Sequence, residues 1–464
     1  MPRTVLIVAY SLPPVARVGG MRIARFIRYL NDWGWRAVTV APATDSAVGD
    51  KIDPTLNRFL PDDAVVRRAD LWPPFRWMLR RFSVGDPGGD AAASSSRSDN
   101  DRASRGAGSS SGVRARMRQA MRGAKRLASM PFTTPDKRIL WVPAAIREGL
   151  RAVREFQPEV ILTSGPPHSI HLVGLALKRA TGVPWVSDFR DPWARSKAET
   201  HAEPAYRRWS NDRLERWCVK RSDRVILNTP AARAEFEAFY GATFSEKLVS
   251  IPNGYDPALR EQIEALVTAH RRPQDADSVR LCHAGSVYGR RDIRPLIDAV
   301  ALVNGRGRRV VFEQVGPLDK PGEIAACIER NDAGGFIQLL GQRPHEEALR
   351  RQAVADILVV VRQNTPLQVP AKLYEMMLFG KPLLVLDGEG AMTRLVREYD
   401  LGVVADPENP VAIAAAIEEV IGRIGEAPSE RRAAALVKFD ARTQTRELAD
   451  VLAAAVESRR RSRR

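Results

Sequence analysis

Short apolar runs alternate with helical patterns along this chain, and the alternation starts twice. The first series begins with TVLIVAY at residues 4–10, continues to WRAVTVAP at 35–42, and includes apolar runs at 159–164, 183–188 and 223–229. Brief β-branched runs separated by helical segments predict parallel strands joined by crossover helices. The first half of the chain therefore reads as a parallel sheet covered by helices.

The second series begins at Val279 with VRLCHAG. Further apolar runs, each separated by a helical pattern, follow at 309–316, 336–341, 355–361, 382–388 and 401–406. With 464 residues, the chain exceeds the roughly 250–300 residues at which a single core stops growing. We therefore predict the α/β class with two Rossmann-like domains. The predicted segments are a first domain at 1–255, a linker at 256–278, a second domain at 279–440, and a C-terminal helix with a basic tail at 441–464.

An insertion at about residues 71–135 falls outside this alternation. Its central part, residues 84–112, is rich in Gly, Ser and Asp and is predicted to be disordered. Before it, LWPPFRWMLRRF (71–82) interleaves tryptophan and phenylalanine with arginines, and after it residues 112–130 form a second basic stretch. Two interpretations stay open: contact with an anionic lipid surface, or a helix that packs on the first domain with a solvated basic face.

The charge balance points to an anionic partner. Lys and Arg together number 72 against 55 Asp and Glu, which gives a formal net charge of +17. A nucleic acid, a membrane surface and a phosphorylated substrate would each satisfy this charge. The sequence contains no recognised nucleic-acid-binding module, so we expect no specific nucleic acid partner.

Cysteine content and hydropathy indicate a cytoplasmic location. Cys218, Cys282 and Cys327 form no CxxC pair and are odd in number, which is typical of a reducing compartment. The N-terminal apolar run is too short for a signal sequence, and no run reaches the about 18 apolar residues of a membrane span. We expect a protein that is soluble or peripherally attached to a membrane.

The loops that follow strands carry the candidate site residues, since ligands of open parallel sheets bind beyond the carboxyl ends of the strands. In SLPPVARVGG, Gly19 and Gly20 precede a helix, where they either approach a phosphate or form a tight turn. In SGPPHS, His168 is a site residue, a helix cap or a surface residue. In SDFRDPW, Asp188 and Arg190 are site residues or members of an internal salt bridge.

Two loops of the second series carry cations. In AGSVYGRRD, Arg290 and Arg291 follow the first strand of the second series. In PAKLYEMMLFGKPLL (370–384), Lys372 lies in the first turn of a helix. A cation there costs about 0.3–1 kcal/mol unless an anion is present, so we expect these loops to converge on a diphosphate, with a solvated surface as the alternative for the arginine pair. Glu375, three residues after Lys372, suits ribose hydroxyls, with a local Lys–Glu pair as the alternative.

We expect neither a metal nor another cofactor. The Asp-x-Asp triplets at 99–101 and 275–277 lie in the predicted disordered stretch and in the linker, and no histidine pair has zinc spacing. Arg and Lys side chains are better placed to meet the diphosphate charge.

The motifs, in their order and spacing, resemble the GT-B glycosyltransferases, in particular the retaining family 4 enzymes that use nucleotide sugars. Five segments are similar to that family's C-terminal donor domain: IPNGYDP, GSVYGRRDIRPLIDA, GQRPHEEAL, VPAKLYEMMLFGKPLL and LGVVADPENPVAIAAAI. Two others resemble the N-terminal domain of bacterial cell-surface polysaccharide members: PPVARVGGMRIARFIRYL and SGPPHSIHLVGLALKRATGVPWVSDFRDPW. The resemblance covers nearly the whole chain outside residues 45–135 and the tail.

The resemblance implies two Rossmann-like domains that face across a cleft, with the nucleotide held mainly by the second. By position, it assigns Glu375 to the donor ribose and Arg290 or Arg291 with Lys372 to the diphosphate. Gly20 would approach the phosphate from the first domain.

The sequence departs from the family pattern at two places. The Glu-x7-Glu motif needs a glutamate eight residues before Glu375, where this chain has Leu367. Many relatives place a histidine after the strand where this chain has Asp188-Phe189-Arg190-Asp191. His168 is then the substitute catalytic candidate, together with Asp188 and Arg190.

These observations favour a glycosyltransferase that moves a sugar from a nucleotide-diphosphate sugar to an acceptor hydroxyl. Family membership would imply retention at the anomeric carbon. The expected setting is cell-surface glycan synthesis on a lipid-linked acceptor at the inner face of the plasma membrane. Two alternatives stay open: a nucleotide-sugar epimerase or hydrolase of the same fold, and an inactive membrane- or nucleic-acid-binding scaffold.

Overall fold

The computed structural model describes residues 2–47, 49–77, 134–195, 204–270, 277–289, 291–361 and 366–463. The predicted disordered stretch at 84–112 and the basic stretch at 112–130 lie outside these ranges. The chain divides into two compact units. Unit 1 comprises residues 1–24, 34–225 and 454–464, and unit 2 comprises residues 25–33 and 226–453.

The first sheet has the strand order β3-β2-β1-β4-β5-β6-β7. Its strands are β1 (Arg3–Ala9), β2 (Trp35–Pro42), β3 (Val65–Ala69), β4 (Val160–Gly165), β5 (Trp185–Phe189), β6 (Arg224–Leu227) and β7 (Leu248–Ser250). The pairs β1–β2, β1–β4, β2–β3 and β4–β5 are parallel. The helices along this part of the chain are α1 (Val18–Tyr29), α2 (Val142–Phe156), α3 (Ile170–Thr181), α4 (Ala205–Arg221) and α5 (Pro230–Tyr240).

The second sheet has the strand order β10-β9-β8-β11-β12-β13, with parallel pairs throughout. Its strands are β8 (Val279–Ala284), β9 (Val310–Val315), β10 (Ile337–Gly341), β11 (Ile357–Val361), β12 (Leu383–Leu386) and β13 (Gly402–Ala405). The helices are α6 (Pro257–Ala269), α7 (Arg294–Gly305), α8 (Pro321–Arg330), α9 (His345–Val354), α10 (Ala371–Met376), α11 (Ala391–Glu398), α12 (Pro410–Gly422), α13 (Glu430–Lys438) and α14 (Ala441–Arg463).

The second sheet is covered on both faces, as a continuous apolar strand requires. All five residues of β11, ILVVV, are buried. Ile357 and Val359 contribute to one core cluster and Leu358 and Val360 to the other, because successive side chains point to opposite faces of a strand. On one face, α7 packs against α12. The predicted α/β class with two parallel sheets is therefore confirmed.

The structure adds two strands that the apolar pattern did not predict. β3 reads VVRRA, and Arg67 on this edge strand pairs with Glu148 at 2.9 Å. Two adjacent arginines hide such a strand from a search for apolar runs. β7 has only three residues, LVS, which is too short for periodicity to detect.

The segment predicted as a linker, 256–278, contains a helix that belongs to the core of unit 2. Asp256 caps α6 through Ala258 N–H, and Ile263 of α6 is completely buried in unit 2. The polar residues that led to the linker prediction lie mainly on the solvent side of α6. Along the chain, unit 2 resumes at residue 226, and the predicted domain bounds stay a prediction.

Each sheet has a point where the strand order reverses direction. In the first sheet this point lies between β1 and β4, and in the second it lies between β8 and β11. Crevices beyond the carboxyl ends of strands at such points are where open α/β sheets bind ligands. In the described part of the chain, no helix is both long enough and apolar enough to span a bilayer.

Candidate functional site

In unit 1, Gly19 and Gly20 lie in the first turn of α1 rather than before it, and both are in close contact with other parts of the unit. A Cβ atom on Gly20 would overlap the carbonyl oxygen of Ser11, and a Cβ atom on Gly19 would overlap the guanidinium of Arg190. Gly20 therefore requires glycine, because the overlap is with backbone, whereas at Gly19 the overlap is with the end of the Arg190 side chain. The structure thus brings two predicted site residues, Gly19 and Arg190, into direct contact.

Arg190 lies across the carboxyl ends of β1 and β4. Its backbone N–H donates to Gly165 O at 3.0 Å, and its Nη2 donates to Pro166 O at 3.3 Å. Its Nε lies 3.7 Å from the Asp191 carboxylate, so the salt bridge weighed from the sequence is present as a long ion pair. The carbonyl contact and the Gly19 backbone hold the guanidinium at the reversal point of the first sheet.

Asp188 lies beneath this surface rather than on it. The residue is completely buried, and its carboxylate accepts two hydrogen bonds from Arg22 of α1, both at 3.1 Å. Ser164 Oγ donates a third at 2.7 Å. The carboxylate oxygens are thus occupied by groups that tie β4, β5 and α1 together.

Sequence reasoning missed Arg22, although a signal exists. Arg22 lies four residues before Phe26, on the face of α1 that the apolar residues bury, and it is itself 6% exposed. A charged residue at such a position is rarely buried without a partner, so its place predicts a buried carboxylate.

His168 stands in an aromatic cluster at the start of α3. Its ring stacks on Trp193 at 5.1 Å between centroids, and the neighbouring His171 ring stacks on Phe189 at 4.3 Å. Asp136 accepts hydrogen bonds from the backbone N–H and the hydroxyl of Ser169, which fixes this loop. The His168 ring is thus enclosed by aromatic side chains, and it is not the surface residue that was one of the alternatives.

Both histidine rings are held neutral. Burial, with smaller contributions from the charges of His171 and Arg190, lowers the pKa of His168 well below its usual value. Burial lowers the pKa of His171 to about 3. His171 Nδ1 lies 2.9 Å from Thr163 Oγ1, while His168 Nδ1 and His171 Nε2 are buried without a hydrogen-bond partner among the described residues.

We expect His171 to make the protein less stable as the pH falls. A folded-state pKa below the unfolded value near 6.5 means that protonation favours the unfolded chain. The stabilisation is complete above pH 6.5 and is lost progressively as the pH falls toward 3, with a slope of at most about 1.4 kcal/mol per pH unit per histidine. Urea unfolding at several pH values measures this slope.

The comparison variant for this experiment is His171→Asn, which retains a polar group near the Nδ1 position. Its unfolding free energy should fall less steeply below pH 6.5 than that of the wild type. Equal slopes in the two proteins would contradict the assignment of a neutral buried His171.

In unit 2, Lys372 is held at the carboxyl end of β8. Its Nζ lies 2.9 Å from His283 Nε2 and 3.4 Å from Ala284 O. A Cβ atom on Gly285 would approach Lys372 Nζ to 2.8 Å, so glycine leaves the space that the ammonium occupies. The predicted position of Lys372 in the first turn of a helix is confirmed, because α10 begins at Ala371 after Pro370.

A buried hydrogen-bond chain fixes the ring that accepts from Lys372. His283 Nδ1 lies 2.6 Å from Gln314 Oε1, and Gln314 Nε2 donates to Gly285 O at 2.8 Å. Since the amide oxygen only accepts, Nδ1 carries the proton and Nε2 presents a lone pair to the ammonium. His283 and Gln314 are both completely buried. We call this chain the Lys372 relay.

Burial and nearby positive charges keep the His283 ring of the relay neutral. Burial lowers the pKa of His283 well below its usual value, and the charges of Lys372 and Arg291 lower it further. The ring is therefore neutral and accepts rather than donates at Nε2. Neither His283 nor Gln314 was predicted as a site residue, although both lie in strands where a polar residue interrupts an apolar run.

Arg291 is the second cation of this region. Its guanidinium lies 4.4 Å from the Tyr288 ring centroid and donates to Ser286 O at 3.3 Å. Arg291 donates to Ser286 O and the Lys372 ammonium lies against Gly285, so both predicted diphosphate ligands contact the loop after β8. Arg290 lies outside the described residues, so its predicted role stays a prediction.

Glu375 pairs with an arginine far away in the sequence. Arg25 Nη2 donates to Glu375 Oε1 at 2.9 Å, and the carboxylate side chain is 30% exposed. Arg25 also contacts the carbonyl oxygen of Gly254. Leu367, at the place of the missing glutamate, offers its backbone carbonyl to Thr229 Oγ1 at 2.7 Å.

Within the described residues, no group of three or more His, Cys, Asp or Glu side chains is arranged to hold a metal ion. The expectation of a metal-free reaction remains a prediction, since only a chelation experiment tests it.

Two family models match the chain. Residues 109–259 match Glycosyltransferase Family 4, and residues 278–423 match Glycosyl transferases group 1. The second match contains His283, Arg291, Lys372 and Glu375, and the first contains His168, Asp188 and Arg190. No curated protein sequence matches this chain.

Solved structures with the same fold span almost the whole chain. HepE of Anabaena in complex with UDP is 17% identical, with a TM-score of 0.61 over 97% of this chain and 99% of that protein. The lipopolysaccharide outer core galactosyltransferase WaaB is 10% identical, with a TM-score of 0.60 over 97% and 98% of the two chains. Sucrose-phosphate synthase of Thermosynechococcus elongatus is 14% identical, with a TM-score of 0.56 over 99% and 98%.

Proposed function

Because this chain belongs to the family 4-like glycosyltransferases of the GT-B fold, we propose that it transfers a sugar from a nucleotide-diphosphate sugar to an acceptor hydroxyl with retention at the anomeric carbon. The observation that carries the proposal is the Lys372 relay at the reversal point of the second sheet. It fixes the Lys372 ammonium with a neutral ring, at the loop after β8 that Arg291 also contacts. HepE in complex with UDP or UDP-glucose supports a nucleotide sugar as the donor.

The proposed chemistry of unit 2 is stabilisation of the departing nucleoside diphosphate. Negative charge grows on the diphosphate as the bond from the anomeric carbon to its oxygen breaks. Cations already fixed in place stabilise this charge without reorganising during the reaction. Lys372, Arg291 and Arg290 are the proposed ligands of the diphosphate, and no metal is required.

In unit 1, we assign Arg190 and His168 to the reacting groups and Gly19 and Gly20 to close approach of the donor phosphate. Arg190 offers guanidinium N–H donors next to the Gly19 backbone. His168 is neutral and its buried Nδ1 has no hydrogen-bond partner among the described residues, so this is the nitrogen that we assign to a substrate hydroxyl. Asp188 acts through Arg22 and Ser164 as a positioning residue rather than by contact with the sugar.

The proposed setting is synthesis of a cell-surface glycan at the inner face of the plasma membrane, on a lipid-linked acceptor. The similarity in fold to WaaB, a lipopolysaccharide galactosyltransferase, supports this setting. The structure describes residues 71–77 of the aromatic, arginine-rich segment 71–82, and its Trp72 and Trp77 are 59% and 64% exposed. Arg80 and Arg81 of the same segment lie outside the described residues.

The test is a calorimetric screen of nucleotide sugars followed by turnover assays. Turnover that requires an acceptor supports a transferase, whereas release of free sugar or a changed sugar without acceptor supports a hydrolase or an epimerase. Retained turnover in EDTA supports the metal-free proposal. A chain that binds none of the nucleotide sugars would contradict the proposed function.

Glu375→Ala should weaken nucleotide binding by about 1.5–3 kcal/mol, roughly 10- to 150-fold, because charged hydrogen bonds to the ribose are lost. Isothermal calorimetry with UDP measures the effect. Glu389→Ala is the matched control, since Glu389 is an exposed glutamate of unit 2 that also pairs with an arginine, Arg397.

Arg25→Ala distinguishes the pairing of Glu375 with Arg25 from its proposed contact with the donor ribose. If Glu375 contacts the ribose, Arg25→Ala should cost less affinity than Glu375→Ala. Unchanged affinity in a folded Glu375→Ala protein would remove Glu375 from the donor site.

A further inference from the structure

Helix α4 (Ala205–Arg221) carries two exposed tryptophans on one side. Trp209 is 63% exposed and Trp217 is 44% exposed. At about 100° per residue, residues 209, 213, 216, 217 and 220 fall within an arc of roughly 100°. All five are exposed, and those between and beside the tryptophans are Arg213, Arg216 and Lys220. We call this surface the α4 face.

The opposite side of α4 is anchored, so the α4 face has a fixed orientation. Cys218, Val219 and Glu215 are completely buried. The Glu215 carboxylate accepts from Arg195 Nε at 3.0 Å and from the backbone N–H of Ala194 at 2.6 Å. Turning the tryptophans inward would therefore break a buried ion pair.

The α4 face is cationic. The acidic residues of α4 are Asp212 and Glu215, and both are engaged by arginines: Asp212 pairs with Arg195 and, at 2.6 Å, with Arg216. Arg213 lies over Trp209, with its guanidinium 5.1 Å from the ring centroid. Lys220 and Arg221 extend the positive charge to the end of the helix.

Exposed tryptophans between cations are unusual on a surface that faces only water. Tryptophan is enriched where an apolar and an aqueous phase meet, and Arg and Lys beside it are attracted to anionic lipid headgroups. The aromatic segment before the insertion offers a weaker version of this pattern. There Arg76 pairs with Asp70 at 2.8 Å, which neutralises its charge.

We propose that the α4 face docks on the surface of an anionic lipid bilayer. The tryptophans enter the headgroup region, and Arg213, Lys220 and Arg221 meet anionic headgroups. This deepens the proposed function, on which it rests for its purpose, because a lipid-linked acceptor stays in the bilayer and its enzyme must reach that surface.

Co-sedimentation of the full chain with vesicles tests the proposal. The vesicles contain phosphatidylcholine alone or phosphatidylcholine with phosphatidylglycerol. The wild type should sediment with the anionic vesicles only, and binding should decline as salt shortens the Debye length from about 10 Å at 0.1 M to about 3 Å at 1 M. Trp209→Ser/Trp217→Ser and, separately, Arg213→Glu/Lys220→Glu should each lower vesicle affinity at least about tenfold.

Two control pairs make the result specific. Val411→Ser/Val437→Ser replaces exposed apolar residues of unit 2, which are 63% and 69% exposed, and should not change vesicle binding. Trp72→Ser/Trp77→Ser replaces the rival tryptophans and should lower binding less than the α4 variant. Quenching of tryptophan fluorescence by brominated lipid should decrease in the α4 tryptophan variant.

The outcomes separate this proposal from the proposed function, because UDP binding is measured on the same proteins. Wild type that ignores anionic vesicles at low salt overturns the proposal, even when UDP binding is intact. The proposal is also overturned if only the Trp72/Trp77 variant loses vesicle binding. The same holds if the α4 variants lose binding to a nucleic acid or a protein but still bind vesicles. A wild-type protein that does not bind UDP would instead contradict the proposed function.

Discussion

Replacing Lys372 with methionine is expected to lower kcat/KM for the nucleotide sugar by about 10²–10³-fold, the usual cost of removing one fixed donor from a developing anion. Methionine keeps the length and the apolar stem of lysine but removes the cation. The effect should appear mainly in kcat, because the charge on the diphosphate is larger in the transition state than in the bound donor. Steady-state kinetics with a nucleotide sugar that the wild type uses as a donor measure kcat and KM.

Lys438→Met is the matched control for this experiment. Lys438 is an exposed lysine of unit 2 whose ammonium donates to Tyr399 Oη at 2.6 Å. Its replacement should leave kcat/KM unchanged. If Lys372→Met keeps wild-type turnover in a folded protein, the diphosphate is bound elsewhere.

A second variant separates the charge of Lys372 from its placement. In His283→Leu the ammonium remains, but its acceptor and the link through Gln314 to Gly285 are lost. We expect an intermediate loss, smaller than that of Lys372→Met, because a mobile cation still screens the diphosphate. A His283→Leu protein that is as active as the wild type would show that the relay does not position Lys372.

The fold was predictable because its signal is local. ILVVV is apolar over its whole length and WRAVTVAP is apolar apart from Arg36 and Thr39, and each becomes a largely buried strand within a residue or two of the predicted bounds. The family resemblance is confirmed by the two family matches. The unpredicted strand β3 shows the limit, since its Arg67 pairs with Glu148 and Glu155 of α2, which a local pattern does not reveal.

The site was predictable only in part, because partners distant in the chain decide what a side chain does. The loops after β1, β4, β5 and β8 were identified by their position alone. The sequence does not show that Asp188 meets Arg22 across 166 residues, or that Glu375 meets Arg25 across 350. Nor does it show which polar strand residue accepts from Lys372. Hydrogen-bond partners of this kind follow from sheet order and helix placement rather than from periodicity.

Replacing Arg22 with leucine should lower the free energy of unfolding by about 3–5 kcal/mol, because it leaves the buried Asp188 carboxylate without its cation. Both side chains are enclosed, with 6% and 0% exposure, so water cannot replace the lost partner. Urea unfolding followed by circular dichroism measures the change. Arg151→Leu is the control, since the Arg151 side chain is 57% exposed and its partner Glu148 also pairs with Arg67, so its loss should cost at most about 1 kcal/mol.

The double variant Arg22→Leu/Asp188→Leu then distinguishes a positioning role of Asp188 from a catalytic one. Removing both charges removes the desolvation cost together with the attraction, so most of the lost stability should return. If Asp188 only ties β5 to α1, turnover should recover with stability. If the carboxylate itself takes part in the reaction, the double variant will be stable and inactive, and Asp188 will have to reach the substrate through a rearrangement that frees it from Arg22. A double variant as unstable as the single one would contradict the ion pair as the reason for the loss.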